Sequence, residues 1–467
     1  MKKPSILLLL VVGIVTAVAL YYAWANWAGA RELQSVLAEL ERKKESVRME
    51  DFIPPHVPDD QNVAAAPIFR EYFASKENSR LGKLLAEWKK LGVSAKDQRL
   101  INMAKKIDPK FSGDESAARS LVLEALNQTA PVLEEVREAL RRPKVEWPLN
   151  YSNLLQTPME YITPCLDVAR MFYGRALAEL ELGLSDKAAQ DAMAGLAMAE
   201  AVVPPRILIC ELVQELNLRM ASIVINDGLC RGAWSDSNLS DFSKSLPQEN
   251  LALHMADGLR MERVAGQQWM SDVELSMTVL RMWLGDTWSA RFAKLMIQLR
   301  PTGWAHQDRV HQIAVFQQMI ECLSANKRIS PNEVDRIETS FRKPSKWDRF
   351  TTPLSAITSP VFIGILKKVV YAQTQLESTR TACAVERYRL VNKRLPASLG
   401  DLVPAFLPAV PNDPITGRPL LYKPKEDGAF VVYGVGWNQI DDGGSVQPTP
   451  PKKPIEEADW GVDISKG

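Results

Sequence analysis

The sequence predicts a mainly α-helical protein with an N-terminal transmembrane helix, an irregular α-helical domain and a small C-terminal α+β module, a long helix plus short antiparallel strands. An uninterrupted apolar run follows the N-terminal lysines, helix-favouring residues fill the middle of the chain, and prolines with two β-favouring runs mark its end. We divide the chain into a signal anchor (1–30), a helical stem with a proline-rich joint (31–61), the helical domain (62–345), the α+β module (346–447) and a polar tail (448–467).

The N-terminal segment has no charged residue between Lys3 and Arg31. About 20 apolar residues in a helix span the hydrocarbon core of a bilayer. A cleaved signal peptide is the alternative, because residues 28–30, Ala-Gly-Ala, have the small side chains that signal peptidase requires. The length of the run and an aromatic belt near its end favour an uncleaved anchor. The short N-terminal flank is typical of a single-pass inner-membrane protein with a cytoplasmic N-terminus and a periplasmic bulk.

The chain carries nearly balanced charge. Its 57 Lys and Arg against 56 Asp and Glu leave a net charge of +1, which excludes the basic footprint of a nucleic-acid-binding protein. The five cysteines lie far apart and stand among apolar residues, a pattern typical of buried thiols. One or two disulfides are the alternative in an exported domain, although an odd count leaves one thiol over.

Helical patterns continue beyond the anchor. Leu33, Leu37 and Leu40 share one face, which predicts an amphipathic stem helix that rises from the membrane, and the prolines within residues 54–58 end it. From there to about residue 341 the composition is helical throughout. Residues 169–196 resemble a tetratricopeptide hairpin, but no second copy follows, so we expect one hairpin in an irregular bundle.

The C-terminal part changes character. Residues 363–392 have apolar positions at spacings near 3.6 and predict one long helix. Six prolines from Pro396 to Pro419 prevent this helix from continuing. Two β-favouring runs, 420–423 and 430–435, then flank an Asp-Gly pair. This arrangement predicts a β-hairpin.

The order of these features resembles the globular C-terminal domain of the major pseudopilins of type II secretion systems. The resemblance rests on the helix end and the segment after it (386–403), an Asp-Pro turn (411–422), a strand (432–436) and a glycine-rich acidic loop (441–444). With the proline-rich residues 54–62, the chain is also similar to membrane-anchored proteins of planctomycete and verrucomicrobial type. The second resemblance implies no activity, whereas the first implies a link to secretion.

The N-terminus departs from the pseudopilin pattern. Residues 1–30 contain neither a Gly-Phe-Thr-like processing site nor the glutamate that pseudopilins carry early in their apolar helix. In pilin subunits that apolar helix itself enters the C-terminal sheet, whereas here the whole helical domain lies between the two. We therefore expect a tethered protein that does not polymerise as a pilus subunit.

The pseudopilin resemblance also implies a calcium site in the acidic loop. The corresponding candidates are Asn438, Asp441, Asp442 and Asp459, whose amide and carboxylate oxygens suit calcium. A solvated acidic turn is the alternative, because a Pro- and Lys-rich insert at residues 447–455 separates Asp459 from the other three. We expect no other cofactor.

The sequence shows no recognisable catalytic constellation. Its four histidines lack partners at metal-ligand spacing, and no Walker, Gly-x-Ser-x-Gly or dinucleotide-binding motif occurs. The leading hypothesis is a non-enzymatic, membrane-tethered envelope protein that contacts other envelope or secretion proteins. The alternatives are an exported hydrolase that uses carboxylates of the helical domain and a calcium-stabilised ligand-binding head.

Overall fold

The computed structural model describes residues 6–91, 100–150, 157–204, 206–271, 299–324, 328–342, 352–446 and 458–465. Within these residues the protein is mainly helical, with an apolar helix at the N-terminus and a three-stranded antiparallel sheet near the C-terminus. The predicted fold class is confirmed at this level. The expected domain boundary at residues 345–346 falls outside the described ranges.

The helices fall into an N-terminal helix, a helical body (α2 to α12) and one long helix in the C-terminal module, which we call the head (residues 353–465). They are α1 Ile6–Arg42, α2 Pro67–Ala74, α3 Arg80–Leu91, α4 Leu100–Ile107, α5 Glu115–Leu140, α6 Ile162–Glu181, α7 Ser185–Ala201, α8 Leu208–Cys230, α9 Asp236–Ser245, α10 Leu251–Ser271, α11 Thr302–Ser324, α12 Pro331–Arg342 and α13 Pro353–Asn392.

Helix α1 joins the predicted anchor and most of the predicted stem in one continuous helix. It is long and apolar enough to span a membrane, and the large apolar side chains of its first half are exposed. The helix ends with Lys44 in the left-handed conformation (φ 59°) and with a hydrogen bond from Glu45 N to Leu40 O, a Schellman-type termination.

The second half of α1 packs against α11 and does not stand alone. Leu33 and Leu40 are buried in a small cluster with Ile313 of α11. After the helix end, the Glu45 carboxylate accepts a hydrogen bond from the guanidinium of Arg263, at 3.1 Å. The leucine stripe that predicted an amphipathic stem is therefore the face that packs on α11, and this contact joins the second half of α1 to the helical body.

Helices α6 and α7 form the predicted antiparallel hairpin, with Gly183 at φ +75° in the turn between them. They approach so closely that a Cβ added to Gly195 would lie 2.3 Å from the Tyr173 ring. The apolar core of these helices is continuous with that of the head, so body and head share one interior. All five cysteines are free thiols, and four of them are buried.

In the head, α13 starts ten residues earlier than the sequence predicted and ends at Asn392, where Lys393 adopts φ 59°. The predicted hairpin is present: β1 (Leu421–Pro424) pairs antiparallel with β2 (Phe430–Gly434), and Leu421 lies opposite Tyr433.

The end of the chain differs from the expected polar tail. Residues Trp460–Ile464 form β3, which pairs antiparallel with β2 so that Val462 lies opposite Val432. Apolar side chains of β3 are buried, and Gln375 of α13 donates a hydrogen bond to the Gly461 carbonyl at 3.0 Å. The tail prediction is wrong for this strand because its apolar residues complete the sheet that packs on α13.

Candidate functional site

The loop after β2 brings the calcium candidates of the sequence together. Asn438 Nδ2 donates to Asp442 Oδ2 at 2.9 Å, and Asp442 N donates to Asp459 Oδ1 at 3.2 Å. Asp459 reaches the loop because it forms a parallel bridge with Val446 just before β3. The insert that was expected to separate these residues falls within 447–457, outside the described ranges.

The carboxylate oxygens of these residues accept hydrogen bonds from the loop and from β2. Asp459, only 1% exposed, accepts hydrogen bonds from the N–H groups of Asp442 and Gly444, while Asp441 accepts one from the Tyr433 hydroxyl. Burial raises the pKa of Asp459, and the neighbouring carboxylates raise it further. Among the described residues, no group of three His, Cys, Asp or Glu is arranged to hold a metal ion. The calcium site therefore stays a prediction.

A concave surface lies between the helical body and the head, and we call it the body–head cleft. Its volume is about 1280 Å³. The end of α9, the start of α10 and the middle of α13 form its walls, and the proline-rich segment after α13 closes one side. Its lining comprises Ser240, Ser243, Lys244, Gln248, Glu249, Asn250, Leu253, His254, Asp257, Gln373, Glu377, Arg380, Arg387, Phe406, Leu407, Pro408, Ala409, Val410, Pro411, Asn412, Pro414 and Gly417.

Charged groups on the α13 wall of the cleft are held by partners within the protein. Arg380 Nη1 lies 2.6 Å from Glu377 Oε2 on the same helix, and Arg387 Nε lies 2.8 Å from Asp236 Oδ1 of α9. The Arg387 guanidinium also lies over the Phe406 ring, 5.6 Å from its centre. Because these cations are already paired, we expect the α13 wall to bind a ligand through surface complementarity and hydrogen bonds more than through unpaired charge.

Carboxylates approach one another next to this cleft, where α7 ends, α8 begins and α10 passes. Glu211 of α8 is 3% exposed, and Arg206 Nη1 lies 3.4 Å from its Oε1. Burial raises the pKa of Glu211 to about 7; Arg206 opposes this shift, and Asp257 and Glu200 add to it. Close approach is possible because Gly258 of α10 has no side chain, and a Cβ there would lie 3.2 Å from Glu211 Cγ.

A carboxyl group that titrates near neutral pH can act as a general acid or base. Side chains around Glu211 are oriented by hydrogen bonds: Gln214 Nε2 lies 3.0 Å from Glu200 Oε1, and His254 Nε2 lies 2.8 Å from Glu249 Oε2. Sequence reasoning missed this group because its members come from three helices and share no spacing that a motif search detects.

A serine, a histidine and an aspartate, the residue types of a hydrolase triad, also lie together at the start of α13, where they serve the structure of the helix. Ser355 Oγ lies 2.9 Å from His311 Nδ1 and 2.7 Å from Asp308 Oδ1. The Asp308 carboxylate accepts the N–H groups of Leu354 and Ser355 at the start of α13, and the Ser355 side chain is fully buried. Asp308 therefore caps α13 and holds the Ser355 hydroxyl, which is an arrangement that fixes the start of the helix.

Comparisons with protein families, with curated protein sequences and with solved structures find no match to this chain.

Proposed function

We propose that the protein is a non-enzymatic, membrane-tethered envelope protein that binds an extended segment of a partner protein in the body–head cleft. The cleft carries this proposal. Its volume of about 1280 Å³ exceeds the usual range of small-molecule pockets, up to about 1000 Å³. Two parts of the chain build it together, and its walls combine apolar side chains, paired charges and the proline-rich backbone at Leu407–Asn412.

Photo-crosslinking from the cleft tests the proposal. A photoreactive residue replaces Leu253, which lines the cleft and is 39% exposed, in the full-length protein within cells that carry its native gene. The matched control replaces Leu123 of α5, which is 37% exposed and lies outside the cleft. A discrete protein adduct from Leu253 but not from Leu123 supports the proposal; no adduct, or the same adducts from both positions, contradicts it.

The proposed location is the inner membrane, with a cytoplasmic N-terminus and a periplasmic body and head. Signal peptidase acts on an extended, accessible segment, whereas residues 28–30 are helical, and Gly29 is buried against Gly303 of α11. We therefore expect residues 1–30 to remain in the mature protein. The intact mass of the membrane-extracted protein measures this directly, and protease digestion of a C-terminal tag in spheroplasts measures the orientation.

A link to secretion follows from the pseudopilin resemblance of the head. A long helix that packs on an antiparallel sheet supports this proposal, and the anchor without a pilin processing site supports a tethered role in place of polymerisation. Affinity capture after crosslinking tests it: secretion components among the adducts of Leu253 support the link, and envelope proteins unrelated to secretion argue against it.

The second candidate function is hydrolysis of an envelope polymer, which the raised pKa of Glu211 beside the cleft favours. Glu211 would act as the general acid or base. Purified full-length protein is assayed against peptidoglycan and other envelope polysaccharides. Turnover that depends on pH around 7 and disappears in Glu211→Gln supports this candidate; the absence of turnover by the wild-type protein rejects it for those polymers.

A further inference from the structure

Helices α1 and α11 run parallel and in register. The Tyr22 hydroxyl donates to the Leu299 carbonyl at 2.5 Å, just before α11 begins. About one turn further along both segments, the Asn26 side chain accepts a hydrogen bond from Gly303 N at 2.8 Å. At the far end of the pair, Lys43 Nζ lies 3.3 Å from Glu321 Oε1. The start of α11 therefore lies at the level of Tyr22.

This level lies just inside the edge of the hydrocarbon core if α1 spans the bilayer. A helix rises about 1.5 Å per residue, so Tyr22 lies about 24 Å along the axis from Ile6, and the hydrocarbon core is about 30 Å thick. Trp24 and Trp27, which are 60% and 59% exposed, follow within the next one and a half turns. Such aromatic side chains are typical of the lipid headgroup region.

Just before α11, one apolar side chain is exposed and the neighbouring charged side chain is buried. Leu299 is 59% exposed. The neighbouring Arg300 side chain is 6% exposed, because its guanidinium lies 3.2 Å from Asp308 Oδ2 inside the body. An exposed leucine beside an internally neutralised arginine suits lipid better than water.

The helices are joined too tightly at this level for the body to tilt away from the membrane. A Cβ added to Gly303 would lie 1.9 Å from the Ala25 carbonyl oxygen, and one added to Gly29 would lie 2.3 Å from the Gly303 carbonyl oxygen. Glycines at such a crossing let two backbones come into direct contact. The position of α1 in the bilayer therefore sets the position of Leu299.

We infer that the end of the body at Leu299 is a second membrane contact, which inserts into the lipid headgroup region beside the aromatic belt of α1. The partner is the bilayer surface itself. This inference rests on the proposed membrane anchor, and it adds that the body is docked on the lipid and not held above it by a stem.

Site-directed spin labelling tests this contact in the full-length protein reconstituted into vesicles of phosphatidylcholine and phosphatidylglycerol. Three variants in a Cys230→Ala background carry one label each: Leu299→Cys, Leu10→Cys in the apolar half of α1, and Ile440→Cys in the head. All three native side chains are 59% exposed, so the labels differ in location and not in local accessibility. Collision with oxygen, which concentrates in lipid, is compared with collision with a water-soluble nickel chelate.

We expect the ratio of oxygen to nickel-chelate collision to be several-fold higher at Leu10 and at Leu299 than at Ile440. A ratio at Leu299 equal to that at Ile440, with the Leu10 label in lipid, overturns this inference and leaves the anchor intact. Nickel-chelate access at Leu10 as high as at Ile440 instead overturns the anchor. The proposed membrane tether and the membrane contact at Leu299 then both fail.

Discussion

The raised pKa of Glu211 makes a specific prediction about stability. The side chain is 3% exposed, and its pKa is raised from 4.5 to about 7, chiefly by burial. The folded protein therefore binds this proton more tightly than the unfolded chain does, so stability falls as pH rises from about 4.5 to about 7. By linkage, ionised Glu211 costs about 3 kcal/mol at pH 8 relative to pH 4.

The substitution Glu211→Gln removes this titration and keeps a side chain of similar size. Relative to the wild-type protein, the variant should gain about 2.5 kcal/mol of stability between pH 5 and pH 8, or about 3 °C in melting temperature for a chain of this length. Loss of the contact with Arg206 offsets little of this gain, because the Arg206 side chain is 42% exposed. Thermal unfolding of detergent-solubilised protein at both pH values measures the difference.

Glu138→Gln in α5 is the matched control. The Glu138 side chain is 67% exposed, so the substitution should shift the melting temperature equally at both pH values. If the Glu211→Gln variant also differs from wild type by the same amount at pH 5 and pH 8, then burial does not hold the Glu211 proton, and the argument for an acid–base group beside the cleft fails.

Three further predictions concern packing, a buried ion pair and calcium. Gly303→Leu should force α11 away from α1, and melting of the solubilised protein should fall by several degrees, whereas Gly13→Leu should leave it unchanged because no atom lies within 4 Å of a Cβ added there. Asp191→Asn removes the closer of the two carboxylates that pair with the buried Arg175 guanidinium, 2.9 Å away, and leaves only Glu179 at 3.3 Å; it should cost about 3 kcal/mol by chemical unfolding. Calcium should raise the melting temperature of the wild-type protein but not of Asp442→Ala; no shift in either protein rejects the calcium site.

Local patterns predicted the elements that depend on neighbours in the chain. An apolar run without charge predicted the helix able to span a membrane that forms the first part of α1, and an Asp-Gly pair between two β-favouring runs predicted the β1–β2 hairpin. The α6–α7 hairpin likewise needed only short helices and a glycine turn. In each of these elements, residues close in sequence make the deciding contacts.

Other features depended on residues distant in sequence. The strand β3 was assigned to the tail because Trp460–Ile464 has its partners in β2 and α13, which are distant in sequence. The Pro- and Lys-rich insert before it gave no signal that a strand follows. The buried Glu211 carboxyl group was missed for a similar reason, since the burial that raises its pKa comes from the packing of helices distant in sequence.

The sequence by itself therefore determined that the chain carries a helix able to span a membrane, a helical middle and a small sheet after a long helix. Periodicity and composition act over one or two turns, and they are sufficient for these conclusions. Only the tertiary structure decided what the stem does, because the contact of Gly29 with Gly303 and the burial of Leu33 require a surface that α11 supplies. That packing joins the predicted stem to the body, and the cleft likewise requires tertiary contacts, because its walls come from α9, α10, α13 and the proline-rich segment after α13.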